Sequence, residues 1–305
     1  MLRYIAKRLL HTIPTLFVIA TATFFMLRAA PGGPFDAEKN VTPEIKKALE
    51  AHYGMNKPLF QQYLDYLRQL AHGDLGPSFK YPNRTVNELI ADCFPVSLEL
   101  GCYGLAFALA VGLTAGIIAA IKPNTFSDYA PMSLSMAGIC VPTFVLGPVL
   151  ALTFGLGLHW FNTSGWDFPR DRVLPAVTLG FYYAAYIARL TRAGMIEALS
   201  HDCIRTARAK GASLPRILFR HALKPALQPV ISFLGPAAAG IVTGSLVVET
   251  IFQIPGLARF FVTAAFNRDY TLVLGAVLFY ATFVCAFNLI VDVVQVFMNP
   301  RLRFE

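Results

Sequence analysis

The chain has 305 residues, 55% of them hydrophobic and only 14% charged, with a net charge of +8 and a mean hydropathy of +0.53. Ordinary globular domains carry about 25% charged residues, so this composition excludes a soluble globular chain and points to a membrane protein. The five cysteines (Cys93, Cys102, Cys140, Cys203, Cys285) are odd in number, scattered and never spaced C-x-x-C, which excludes a zinc site or a disulfide framework.

The N-terminus opens MLRYIAKRLLHTIPTLF, a basic start followed by an apolar run over residues 9–29. That run is longer than the roughly 7–15 residues of a signal-peptide core, and Arg28 spoils a small-x-small cleavage site. The reading is an uncleaved first transmembrane helix, with a short cytoplasmic segment before it (1–30). Residues 31–95 then form a soluble helical stretch on the outer side. Thr42-Pro43-Glu44 supplies a helix start, and the helix should end near Gly54. Residues 59–71 repeat apolar side chains at Leu59, Tyr63, Leu64, Leu67 and Leu70, a helical period. Thr85-Val86-Asn87-Glu88 is a capping-box pattern. A stretch of this length can hardly bury a core of its own, so its helices are expected on the rim of the bundle.

Five further stretches, 96–121, 132–158, 173–190, 230–248 and 272–298, approach or exceed the roughly 20 residues needed to cross a hydrocarbon core. The expected fold is therefore an all-α membrane protein of about six transmembrane helices, five of them in a core running over 96–298. The fourth stretch is the least apolar, diluted by Pro175, Tyr182, Tyr183 and Tyr186. Lys and Arg gather in the loops that share a side with the N-terminus: Arg3, Lys7, Arg8, Lys122, eight basic residues over 189–224, and Arg301 and Arg303 in the tail 299–305. The positive-inside rule puts both termini in the cytoplasm.

Residues 205–227 read RTARAKGASLPRILFRHALKPAL. Two short helices fit 195–224, one running to Lys210 with Gly211 as a left-handed cap, the other starting after Ser213 and stopping before Pro225. On the second, Leu214, Ile217, Leu218 and Ala222 should share an apolar face, with Arg216, Arg220 and Lys224 on a basic one. The charges alone describe a topogenic loop on a lipid surface. They leave Ala207, Ala209, Gly211 and Ala212 unexplained, and small residues there let another backbone come close.

TARAKG (206–211) followed by HALKPAL (221–227) resembles the EAA loop of ABC-importer permease subunits. Ala207, Gly211 and Leu223 keep the spacing of that loop. Arg205 and Thr206 replace its Glu-Ala start and Lys224-Pro225 its final proline, departures usual in the peptide/nickel branch of the family. IPTLF, APGGPF, HGDLGPSFKY (72–81), VETIFQIPGL (248–257), NRDYTLVLG (267–275), NLIVDVV and MNPRLRF are similar to the same branch, in order along the chain. HGDLGPSFKY in particular resembles its oligopeptide-importing members.

The resemblance implies a type I ABC importer: this chain and a paralogous permease form the pathway for oligopeptides, and a substrate-binding protein delivers cargo from outside. Two separate ATPases, which bind ATP and Mg, would dock on the coupling loop 195–228. Nickel or dipeptide import by the same architecture is the alternative. The sequence has no G-x-x-x-x-G-K-[ST] loop to cradle nucleotide phosphates, so the chain itself is expected to be non-catalytic and without cofactor or metal. The ATPase-coupling residues implied are Arg205, Thr206, Ala207, Arg208, Ala209, Lys210, Gly211, Ala212, Ser213 and Leu223.

Polar and helix-breaking residues within spans are pathway or gate candidates: Glu249, Pro142, Gly240, Gly244, Asn288 and Asp292. Each has a plainer reading. An interfacial hydrogen bond would suit Glu249, and a shared face bonding a neighbouring helix would suit Asn288 and Asp292. Pro142 and Pro148 would bend the third span, while Gly235, Gly240 and Gly244 would allow close packing. Asp269 and Tyr270 follow a loop that reads as either a short outer-face helix near the binding-protein dock or a surface cap. A secondary transporter would show inverted repeats, and a membrane enzyme would cluster carboxylates, histidines or a nucleophile at one depth; neither pattern is present in the sequence.

Overall fold

Helix-forming apolar stretches become helices throughout. The computed structural model describes residues 2–30, 32–34, 43–243 and 245–298; Thr42, Gly244 and the tail 299–305 lie outside these. Among the described residues the elements are α1 (Leu2–Ala29), α2 (Pro43–His52), α3 (Leu59–Ala71), α4 (Val86–Ile121), α5 (Phe126–Cys140), α6 (Thr143–Leu150), α7 (Val173–Ser200) and α8 (Asp202–Ala209). They continue with α9 (Leu214–Arg216), α10 (Leu223–Ala226), α11 (Gln228–Thr243), α12 (Leu246–Ile251), α13 (Leu257–Phe266) and α14 (Tyr270–Met298). The chain divides into two units, Met1–Val96 with Gly256–Cys285, and Ser97–Pro255 with Ala286–Glu305, so the three boundaries fall inside α4, between α12 and α13, and inside α14.

Five of the six expected spans have helical counterparts long and apolar enough to cross a membrane, Leu10–Ala29, Val86–Ile121, Pro169–Ser200, Gln228–Ile251 (α11 with α12) and Tyr270–Val294. The third is not one rod. Phe126–Cys140 and Thr143–Gly157 meet at 108°. The cause is local: proline drives the residue before it out of the helical region, and Val141 (φ −87, ψ 114) and Pro142 (φ −61, ψ 146) are consecutive extended residues. After α6 the chain widens into a π turn, Ala151–Gly157. The fourth span also departs from expectation, since α7 runs ten residues past 190 to Ser200 and absorbs residues assigned above to a separate cytoplasmic helix. Its tyrosines dilute hydropathy because α7 faces protein more than lipid: 56% of its apolar window is buried, the highest share of the five. Tyr186 stacks on Phe233 at 5.6 Å between ring centroids.

The second unit is organised by close approach of helix backbones. On α4, Gly104, Ala108, Gly112, Gly116 and Ala120 recur every four residues and are all buried; on α7, Ala176, Gly180, Ala184 and Ala188 do the same. A Cβ on Gly180 would lie 2.4 Å from the Gly104 carbonyl oxygen, and one on Gly112 2.7 Å from that of Ala184. Lipid tails are as apolar as leucine, so helices gain nothing from burying apolar surface against each other rather than lipid; small residues that bring backbones into contact supply the attraction instead.

The first unit shows how residues 43–95 find a core. Val86, Leu89, Ile90 and Cys93 of α4 pack with Leu257 and Ala264 of α13 and Leu272 and Val273 of α14. The capping box forms in full: the Thr85 N–H donates to Glu88 Oε2 at 3.0 Å and the Glu88 N–H to Thr85 Oγ1 at 3.2 Å. The Tyr63 and Thr21 hydroxyls join α3 to α1 at 2.7 Å.

Asp269 is the polar centre of this unit. It is fully buried and caps α14 by accepting the Leu272 N–H at 3.2 Å. The Ser78 hydroxyl and the Phe79 and Lys80 N–H groups (3.2 and 3.3 Å) also donate to its carboxylate, while the Thr271 hydroxyl donates to the Pro77 carbonyl at 2.6 Å. The segment 72–81 is thereby fastened to the start of α14, and the loop that precedes Asp269 contains a short helix, α13.

Two substitutions test these contacts. Gly116→Val would place its Cβ 2.6 Å from the Ala188 carbonyl oxygen and 2.5 Å from Thr191 Cβ; overpacking of this kind costs about 1–3 kcal/mol, expected as a lower midpoint in an SDS titration of the purified protein. Asp269→Ala leaves several buried donors unpaired at about 1–3 kcal/mol each, and should make 72–81 of the purified protein more readily cleaved by added protease.

Candidate functional site

The basic segment begins where α7 ends. His201 is extended (φ −67, ψ 149), breaking the helix, and α8 starts with Asp202 in its first turn. α8 ends at the Lys210 cap. The Gly211 N–H reaches the Arg208 carbonyl at 2.9 Å and the Ala212 N–H reaches that of Ala207 at 3.1 Å, the paired bonds of a Schellman end. Gly211 has φ +76, a left-handed conformation that strains any side chain. Nothing lies within 4 Å of where its Cβ would be. The backbone therefore demands glycine at a place with open space around it.

Ser213 (φ −64, ψ 152) opens the next helix, with Pro215 in its first turn as expected. The helix does not stop before Pro225. Residues Ile217–Ala222 form a π turn, the Leu223 N–H bonding back five residues to Leu218, and α10 resumes at Leu223. Pro225 then lies in the last turn of this run, and the chain passes into α11. Ile217, Leu218 and Ala222 are buried as expected, joining Ile204 of α8, Ala226, Met195 and Ala198 of α7, and Ala120 of α4 in one cluster. Leu214 departs from the expected face: it is 48% exposed, beyond that cluster. Arg216, Arg220 and Lys224 are exposed.

Among the coupling residues implied by the sequence, Ala207, Ala212 and Leu223 lie half-buried at the edge of the cluster. Arg205, Thr206, Arg208, Ala209, Lys210, Gly211 and Ser213 are exposed. Arg205 lies 3.5 Å from Asp202, an exposed pair. The result is a short helix seated on one apolar face and bare on the other.

The pathway candidates scatter through the second unit. Pro142 is exposed at the 108° bend. Glu249 is fully buried in α12, where the Ser97 and Ser245 hydroxyls donate to Oε1 at 2.7 and 2.6 Å. A Cβ on Gly240 would lie 2.5 Å from the Tyr183 hydroxyl oxygen. Asn288 is half-buried, its Oδ1 3.1 Å from where a Cβ on Gly235 would sit, and Asp292 is half-buried one turn on. Gly244 lies outside the described residues.

Two ion pairs went unread in the sequence. Arg192 of α7 grips Asp128 of α5 with both arms of its fork, Nε to Oδ1 at 2.5 Å and Nη2 to Oδ2 at 2.6 Å. Arg172, just before α7, pairs with Glu99 of α4 at 2.6 Å, and Trp166 Nε1 donates to the other Glu99 oxygen at 3.1 Å. The partners are 64 and 73 residues apart, a separation that leaves no pattern in one sequence; the available signal was the presence of charges within or beside apolar stretches.

Comparison with known proteins agrees with this arrangement. Residues 1–101 match the N-terminal membrane-component family of binding-protein-dependent transport systems, and residues 112–304 match the inner membrane component of such systems. The chain is 49% identical to the oligopeptide transport system permease protein OppB of Escherichia coli strain K12 over 306 residues, covering 100% of both chains. It is 42% identical to the dipeptide transport system permease protein DppB of Bacillus subtilis strain 168, covering 100% of this chain and 99% of that one. Among solved structures, the inward-facing MetNI methionine ABC transporter matches with a TM-score of 0.59 at 15% identity, over 69% of this chain and 96% of that one. An amino acid ABC transporter matches with a TM-score of 0.54 at 16% identity, over 68% and 94%. These structural likenesses establish the fold, which is that of ABC-transporter membrane chains. The protein is a multi-pass inner-membrane permease, and belongs to the family of binding-protein-dependent transport system inner membrane components.

Proposed function

We propose that this chain is the oligopeptide-importing permease subunit of a binding-protein-dependent ABC importer. The observation that carries the reading is likeness over the entire chain to OppB proteins at 49% identity, higher than the 42% to a dipeptide permease. In this reading a paralogous permease completes the pathway, a substrate-binding protein delivers peptide from outside, and two ATPases bind ATP and Mg. Both termini lie in the cytoplasm, a placement supported by the basic loops at Lys122 and 189–224. The chain itself is a non-catalytic subunit.

The ATPases dock on Arg205 to Ser213, with Leu223 holding the base of the loop. Support comes from the geometry of α8, exposed along Arg205, Thr206, Arg208, Ala209 and Lys210 and ended by a bare Gly211. Of the pathway candidates, Pro142, Gly240, Asn288 and Asp292 keep some accessible surface, as contact with a passing peptide requires. Glu249, sealed by two serines, acts as a hydrogen-bonded joint between α4 and α12.

Two measurements test the proposal. A strain lacking the gene should lose uptake of labelled tri- to pentapeptides; loss restricted to dipeptides or to nickel would replace the cargo assignment. Gly211→Trp should abolish uptake while membrane insertion is unchanged, and normal uptake in that variant with the ATPases still co-purifying would remove the coupling assignment.

A further inference from the structure

We infer that Asp128 and Arg192 are a positioning pair, through which displacement of the 202–226 segment is carried along α7 into the bent helix pair α5 and α6. The inference rests on the reading of Arg205 to Ser213 as the ATPase-contacting helix.

One end of the path is fixed to α7. Met195 and Ala198, in its last two turns, belong to the cluster that holds Ile204, Ile217, Leu218, Ala222 and Ala226. A Cβ on Gly194 would lie 2.5 Å from the Ala226 carbonyl oxygen, so the backbones touch there too. α7 is a single helix from this end to Val173, about 40 Å of rigid rod at 1.5 Å per residue.

The other end of the path is the bent pair. Three contacts follow one another along α7: Arg192 with Asp128, the Phe181 carbonyl oxygen 3.0 Å from a Cβ on Gly138, and the Thr178 methyl 3.4 Å from one on Gly147. Asp128 and Gly138 are separated on α5 by about 15 Å of helix, and Arg192 and Phe181 by a similar length on α7. The two helices therefore run antiparallel in register, from the coupling end to the bend. Gly147 lies beyond the bend, on α6.

The two α5 contacts are different in kind. At Gly138 backbone meets backbone, and apolar surfaces can slide at little cost. Near Asp128 the apolar packing is interrupted by a groove of about 600 Å³ lined by Tyr129, Met132, Met136, Tyr186 and Arg189. Across that opening the ion pair is the bridge. The Asp128 side chain is 2% exposed, and the Asn124 N–H donates to its Oδ2 at 2.9 Å, gathering the 122–125 loop onto the same carboxylate. Parting a fork–carboxylate pair strands a buried charge, which is costly, so α5 follows α7 when the coupling segment moves. Asp128 also sits in the first turn of α5, so the pull is applied at the end of a lever whose other end is the 108° bend.

The test uses the assembled importer in vesicles, and reads peptide transported per ATP hydrolysed. Asp128→Asn keeps the side chain's shape and removes its charge. The importer should assemble and hydrolyse ATP, while transport per ATP falls about fivefold or more, the lower end of measured couplings between sites. Arg192→Lys, which keeps charge but loses the fork, should fall between. The exchanged pair, Asp128→Arg with Arg192→Asp, should regain most of the ratio. An unchanged ratio in Asp128→Asn overturns the inference. So does parallel loss of uptake, hydrolysis and assembled complex that the exchanged pair fails to restore. Gly211→Trp separates the two levels: normal uptake there removes the coupling assignment beneath the inference, whereas impaired uptake there with a normal Asp128→Asn removes the positioning pair alone.

Discussion

Contact between the backbones of α4 and α7 is the constraint on which the second unit depends. In water, a helix hides an apolar stripe and gains from the water it sheds; in lipid that gain is absent. What remains is dispersion, weak per atom and effective only when many atoms meet at contact distance. Two stripes of small residues, Gly104 to Ala120 on α4 and Ala176 to Ala188 on α7, let this happen over four turns. Four other elements of that unit then pack on α7: α5 and α6 through Gly138 and Gly147, α10 through Gly194, α11 through Tyr183, Tyr186 and Phe233.

Charges obey the same geometry. A lone ionised group in a span is costly, and here the arginines bracket α7: Arg172 just before it pairs with Glu99 of α4, Arg192 near its far end with Asp128 of α5. Both pairs join α7 to a neighbour, so they fix rotation and register where small-residue packing would tolerate sliding. Glu99 is reinforced by Trp166, over whose ring the Arg172 guanidinium also lies at 5.0 Å. In the first unit Asp269 performs the equivalent task with backbone and hydroxyl donors instead of a cation.

Much of this was legible in the sequence, and what was not has definite causes. Hydropathy located the spans because length and apolarity are summed along the chain, with no knowledge of neighbours required. The capping box at Thr85 and the left-handed cap at Gly211 were readable because both are local backbone chemistry. The α4 stripe was also in view, as GCYGLAFALAVGLTAGIIAA with a small residue every four, but its partner stripe on α7 gives it meaning. The break at Pro142 was expected as a bend and proved sharper than a right angle, since two extended residues in a row, rather than one proline, set the angle. Leu214 was assigned to the apolar face by period alone; burial on that helix depends on reaching Met195 and Ile204, which period does not encode. The ion pairs join residues far apart in sequence and could be found only in three dimensions.

α8 has eight residues, well under the roughly 12–15 at which isolated helices become even marginal in water. Its exposed face adds almost no contacts to stabilise it. The helix therefore persists because Ile204 is buried against α7 and the π-turned helix, and because Gly211 closes its end without strain. An element that owes its order to its base cannot move independently of that base: a force strong enough to shift α8 either carries α7 with it or unravels α8. The same contacts that make so short a helix stable thus tie it to α7, and they leave its other face bare.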